Sequence, residues 1–260
     1  MSFFFTTKFP PRRYSELKPE YILGTLEKLK KRIDERFPDS GLGKVASELN
    51  EVASAIVGLV EQLPRPLWPI RILTFLAIGL LVGLTVWVCA FTIRYIPAGE
   101  SGLVEILQGA ESAINEVIFL GLAILFLTTI ENRIKRKAAL NSLHRLRSIA
   151  HVVDMHQLTK DPASLLAEFK KTPSSPERTM TPYQLTRYLD YCSELLAINS
   201  KLAALHVQCF QDSEVQKTVD EVETLSHELS SKIWQKIMML DVVAVSNKKS
   251  KERSKPEKLD

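Results

Sequence analysis

The chain has 260 residues, a formal net charge of +4, and 45% hydrophobic against 25% charged residues. That length holds one or two domains, and so mild a charge gives no reason to expect a nucleic-acid partner. The three cysteines, Cys89, Cys192 and Cys209, stand too far apart for a redox or metal-binding pair, which argues against a disulfide scaffold and fits a reducing compartment.

The opening MSFFFTTKFPPRR has an apolar part three Phe long, too short for the core of a signal peptide, and residues 1–18 read as irregular. Pro19 then starts a helix to about Phe37, with Ile22, Leu26, Leu29, Ile33 and Phe37 on one face and Lys28, Lys31, Arg32 and Glu35 opposite. After a turn at Pro38–Gly41 a second helix is predicted over 42–63. Its apolar residues Leu42, Val45, Leu49, Val52, Ile56, Leu59 and Leu63 alternate spacings of three and four, a heptad seam that needs a partner helix. The partner is either the preceding helix or a second copy of the chain.

Pro64, Pro66 and Pro69 break the helix before ILTFLAIGLLVGLTVWVCAFTI, an uncharged run from Ile72 to Ile93 between Arg71 and Arg94. Twenty-two residues make a helix of about 33 Å, enough for a hydrocarbon core of about 30 Å. Trp68 and Tyr95 sit where interfacial anchors belong. Gly79 and Gly83 form a GxxxG, which permits close helix approach in lipid, either to a second copy or to the second span. That second run, Val117 to Ile130, is about 21 Å long and spans only if residues 113–116 are drawn in. A short amphipathic helix within the outer loop, 95–112, leads into it.

Twelve Lys/Arg precede Ile72, none lies between Tyr95 and Glu116, and Arg133, Lys135, Arg136 and Lys137 follow the second run. By the positive-inside rule both termini are expected in the cytoplasm, in a bacterial-type inner membrane. Those four basic residues are expected to face anionic lipid. Glu116 stands near the outer membrane face, where an ionisable group is a functional candidate.

From Glu131 the helix is expected to continue to Met155 or Leu158. It carries HVVDMH, the stretch that most resembles a metal site, with candidate ligands His151, Asp154 and His156. Helical geometry counts against it, because His156 points about 140° away from His151 and a zinc-binding pair needs i and i+4. A short helix over 162–170 and a linker over 171–180 follow. Two long helices are then predicted at 182–210 and 213–243, joined as an antiparallel hairpin. The tail 246–260, with six Lys/Arg, reads as disordered.

The fold class is therefore all-α: a two-span transmembrane hairpin (68–137) between an N-terminal helical hairpin (1–67) and a C-terminal one (181–245), with a basic juxtamembrane segment over 138–171. No nucleotide-binding, hydrolase or zinc-protease motif is present, and no cofactor is expected. The leading functional expectation is a non-enzymatic, self-associating membrane scaffold or anchor whose cytoplasmic helices bind a protein partner or a signal. One alternative is an oligomeric pore in which Glu116, Thr128 and Thr129 face water. The other is a metal-dependent membrane enzyme built on His151, Asp154 and His156.

Overall fold

The computed structural model describes residues 16–95, 103–160, 162, 173 and 180–253. These hold six helices and no strand: α1 Pro19–Arg36, α2 Gly41–Gln62, α3 Trp68–Tyr95, α4 Leu103–Leu158, α5 Pro182–Cys209 and α6 Ser213–Arg253. The short helix expected over 162–170, most of the 171–180 linker and the N-terminal residues 1–15 lie outside the described residues.

Local chemistry explains the helix ends. Pro19 occupies the first turn of α1, where its missing N–H costs nothing. Asp39 takes a left-handed φ of 55° in the α1–α2 turn, a conformation Asp tolerates better than most residues. The Ser40 hydroxyl then accepts from the Gly43 N–H at 3.1 Å and caps α2. Thr181 and Gln184 form a reciprocal capping box before Pro182 at the start of α5.

The chain divides into two compact units, residues 1–64 with 139–260, and residues 65–138. The first is a single helical bundle, not two separate hairpins. α1, α2, the end of α4, α5 and α6 all contribute to one core that includes Leu26, Leu49, Leu146, Leu195 and Ile233. Each such fully buried side chain contributes about 1.5–3 kcal/mol of transfer free energy. Residue pairs set the helix directions. α1 runs antiparallel to α5, since Gln208 clasps the Leu17 backbone at 3.0 and 3.3 Å while Arg32 reaches Glu194 and Arg36 reaches Tyr183. α4 runs parallel to α6, with Arg147 on Glu221 and Gln157 on Lys236.

The heptad seam of α2 closes inside this bundle. Leu42, Val45, Leu49, Ile56 and Leu63 are buried, and Val52 and Leu59 half-buried. α6 continues past 243 to Arg253, so residues 246–253 of the expected disordered tail are helical, and 254–260 lie outside the described residues.

One buried polar pair breaks the apolar interior between α5 and α6. The Asn199 amide nitrogen lies 3.4 Å from the Ser226 hydroxyl, and its buried carbonyl oxygen has no hydrogen-bond partner among the described residues. An unsatisfied buried acceptor costs about 1–3 kcal/mol, whereas removing both partners together leaves nothing orphaned. The double substitution Asn199→Leu with Ser226→Ala is therefore expected to stabilise the bundle by about 1 kcal/mol. Chemical denaturation followed by circular dichroism checks this, and a lower midpoint in the double variant would refute it.

Residues 65–138 hold the other unit. α3 and the first part of α4 are both long and apolar enough to cross a membrane, and none of their most hydrophobic windows is buried. Phe75, Leu76, Leu80, Trp87, Phe119 and Leu125 each expose more than half their surface. In water that surface would be an aggregation liability; in a bilayer it is the lipid-facing coat. The connection between the two apolar helices is shorter than the expected 95–112, because α4 begins at Leu103 and takes in the rest of that loop as its first turns.

Candidate functional site

Glu131 is the polar centre of the apolar hairpin's foot. Its carboxylate accepts from Arg71 Nε at 2.6 Å, from Lys135 Nζ at 2.9 Å and from the Leu67 N–H at 3.2 Å. Lys135 Nζ also donates to the Arg65 carbonyl at 2.8 Å. Arg71 precedes the uncharged run of α3 and Glu131 follows that of α4, so an antiparallel hairpin brings them to one level. The prolines around residues 64–69 leave backbone groups without helical partners, and two of these, the Leu67 N–H and the Arg65 carbonyl, are met by the Glu131–Lys135 pair. Such charge-assisted bonds are shorter and stronger than neutral ones.

Lys135, expected from the sequence to face lipid with its basic neighbours, instead turns toward Glu131. It is 9% exposed, turned inward because it stands one helical turn beyond Glu131 on the same face. Arg133 and Lys137 are exposed, with the Arg133 guanidinium 5.3 Å from the Phe126 ring centre, and Arg136 is half-buried.

Along the hairpin the less exposed positions recur at three and four: Thr74, Ala77, Ile78, Leu81 and Thr85 on α3; Glu116, Leu120, Ala123, Ile124, Leu127 and Glu131 on α4. At this spacing each set forms one stripe along its helix. Glu116 lies on the α4 stripe and forms no ion pair among the described residues. Thr128 and Thr129 are exposed on the outer face, each hydroxyl donating to a carbonyl of its own helix, Leu125 at 3.0 Å and Phe126 at 2.9 Å. Within one chain they share no surface with Glu116. Gly79 and Gly83 are exposed too, and a methyl group added at either would meet no atom within 4 Å. The GxxxG is therefore not spent on the second span.

His151, Asp154 and His156 do not converge. His151 is exposed, and Asp154 accepts from the Gln157 side-chain amide at 2.5 Å. His156 packs its ring over the start of α2, so closely that a methyl group at Gly41 would collide with it. Among the described residues no three His, Cys, Asp or Glu side chains come together as a metal site. The three are separated because they fan around α4: His151 faces solvent, while Asp154 and His156 meet different neighbours. Gln157 is buried and also accepts from Lys236, tying α4 to α6.

Cys192 and His206 are among the buried groups whose acidity is perturbed. Cys192 is fully buried, and desolvation pushes its thiol up to about 12, so it stays protonated as a packing group. His206 is also fully buried, and desolvation holds its imidazole below the ordinary 6.5. Its Nε2 lies 2.6 Å from the Ser142 hydroxyl of α4, and its Nδ1 lies 3.1 and 3.2 Å from the Leu202 and Ala203 carbonyls.

Comparison of the chain with protein-family models, with curated proteins and with solved structures finds no match.

Proposed function

We propose that the chain is a non-enzymatic membrane anchor that self-associates through its hairpin and presents its helical bundle to a partner or signal in the cytoplasm. The observation that carries this reading is the exposed GxxxG of α3. Gly79 and Gly83 leave a shallow track on a lipid-facing helix that this chain does not fill, and such tracks let two helices approach closely in lipid. The Lys/Arg distribution supports cytoplasmic termini in a bacterial inner membrane. The α2 seam adds no support for self-association, since its apolar residues are used within the chain.

The test is native mass spectrometry of the detergent-purified full chain beside Gly79→Leu/Gly83→Leu. The expected result is an oligomer that the double substitution shifts toward monomer; a wild-type monomer would sink the proposal. A closed ring of four or more subunits would favour a second reading, a pore. Glu116 supports that reading as a half-buried carboxylate on an apolar span that forms no ion pair among the described residues.

A further inference from the structure

We propose that a cleft between α1 and α5, centred on Arg36, binds the phosphate ester of a small hydroxylated molecule, of which ribose 5-phosphate is the simplest probe. The cleft has a volume of about 290 Å³ and is lined by Arg32, Glu35, Arg36 and Tyr191. This deepens the reading of the bundle as the signal-receiving part and rests on it.

The charged groups around the cleft are unequally partnered. Arg32 is paired with Glu194 at 2.7 Å and Arg187 with Asp190 at 3.0 Å. Arg36 has no carboxylate partner among the described residues. Its Nη1 donates to the Tyr183 hydroxyl at 3.4 Å, and the Tyr191 phenol is near enough to help hold the guanidinium charged. An arginine carries five N–H donors, so a bond to the Tyr183 phenol leaves most of them for a ligand in the cleft that Arg36 lines. The phenol oxygen that accepts from Arg36 still has its own proton to give. The site thus offers guanidinium and phenol donors together, the set that an oxyanion takes up in bidentate fashion.

These groups are held in place before any ligand arrives. Tyr191 is 4% exposed; its ring stands edge-on to Phe37 at 6.3 Å, and the Arg32 guanidinium lies 5.8 Å from its centre. Tyr183 sits between two guanidiniums, Arg36 at 5.7 Å and Arg187 at 5.9 Å from its ring centre. Both cations, Arg187 first, pull the Tyr183 phenol below its ordinary 10. Glu35 adds an acceptor on the cleft wall. A carboxylate there would repel a bare anion, but it would accept hydrogen bonds from the hydroxyls of a sugar attached to one. That combination favours a sugar-phosphate type of ligand over inorganic phosphate.

The experiment is calorimetric titration of the full chain, in a detergent free of phosphate, with ribose 5-phosphate, inorganic phosphate and ribose. Ribose 5-phosphate is expected to bind saturably and more tightly than inorganic phosphate, with ribose alone weakest. Arg36→Ala should weaken the ester about tenfold or more, as the loss of a charge-assisted contact does. Arg36 is exposed, so this variant should fold. Glu35→Gln should weaken ribose 5-phosphate while leaving or improving inorganic phosphate. No saturable binding at millimolar ester, or equal binding by wild type and Arg36→Ala, overturns the proposal. So does binding confined to phosphatidic acid vesicles, which would assign the cleft to a lipid headgroup. The subunit count by native mass spectrometry is independent of these titrations, so an oligomer without ester binding rejects the cleft and keeps the anchor.

Discussion

Glu131→Ala is expected to lower the unfolding midpoint of the full chain in lipid nanodiscs more than any other single polar substitution in the hairpin. The carboxylate is the common acceptor for Arg71, Lys135 and the Leu67 N–H, and its side chain is only 12% exposed. Removing one partner of a buried pair leaves the other charge uncompensated, at a cost of about 3–5 kcal/mol. Lys135 is the group so stranded, since its side chain is 10% exposed. Arg71 is different: at 49% exposure it can turn to solvent, so Arg71→Ala should cost less than about 1 kcal/mol. The contrast gives the argument an internal check. In the double variant Glu131→Ala/Lys135→Met no charge is left buried, and most of the loss should return. If Glu131→Ala is no worse than Arg71→Ala, or if Lys135→Met rescues nothing, the foot of the hairpin is not held in this way. Proteolysis between Arg65 and Trp68 offers a local readout, because the same substitution releases the Leu67 N–H that Glu131 holds.

How much of this was legible in the sequence depends on the range over which the signal acts. α2 was legible because its apolar residues follow one helical period from Leu42 to Leu63, and a seam of that kind is a local pattern. The two apolar runs were legible for the same reason. The sharing of one bundle by both ends of the chain was not, yet α5 carried a sign of it. Its buried residues include Tyr188, Leu189, Tyr191 and Cys192, which spread over about 160° of the helix, wider than the stripe a single partner covers. A helix apolar on several sides is packed on several sides, and that excludes a simple two-helix hairpin.

Lys135 shows how local reading misleads. In sequence it belongs to a run of basic residues; in space it belongs to Glu131 one turn earlier. Whether such a residue faces lipid or a carboxylate depends on the hairpin's register, which no local pattern contains. α6 ran past its expected end because Lys, Glu and Arg are good helix formers even without an apolar stripe. The Arg36 cleft left a faint local trace: Arg32 and Arg36, and Tyr183, Arg187 and Tyr191, each recur at intervals of four. Spacing of four puts each set on one face of its helix. It takes the antiparallel pairing of α1 with α5 to bring the two faces together.

The bundle is expected to lose stability in acid as the pH falls below about 6.5, starting above the carboxylate range, and His206 is expected to be the cause. Its Nδ1 faces two carbonyls and so carries the proton, which leaves the Nε2 lone pair to accept from the Ser142 hydroxyl. This is the neutral imidazole. Protonation would turn Nε2 into a donor, with Ser142 then donating to the Ala139 carbonyl at 2.7 Å, so the hydrogen bonds tolerate the cation. Burial does not: the ring is fully enclosed, and desolvation outweighs the two carbonyls that favour the charged form. The folded-state pKa therefore lies below the unfolded value of about 6.5. In the window between them the unfolded chain binds the extra proton, so stability is fully present above about pH 6.5 and falls as the pH drops toward the folded pKa. One proton of difference sets the steepest slope, about 1.4 kcal/mol per pH unit. Denaturation of the full chain in nanodiscs, followed by circular dichroism at a series of pH values, measures it. His206→Gln keeps an acceptor for Ser142 but cannot titrate, so its profile should be flatter across the same window, at the expense of a lower stability at pH 7. Because Ser142 belongs to α4, the helix that begins in the apolar hairpin, protonation acts on the contact between α4 and α5. Identical pH profiles for wild type and His206→Gln would place the acid sensitivity elsewhere in the bundle.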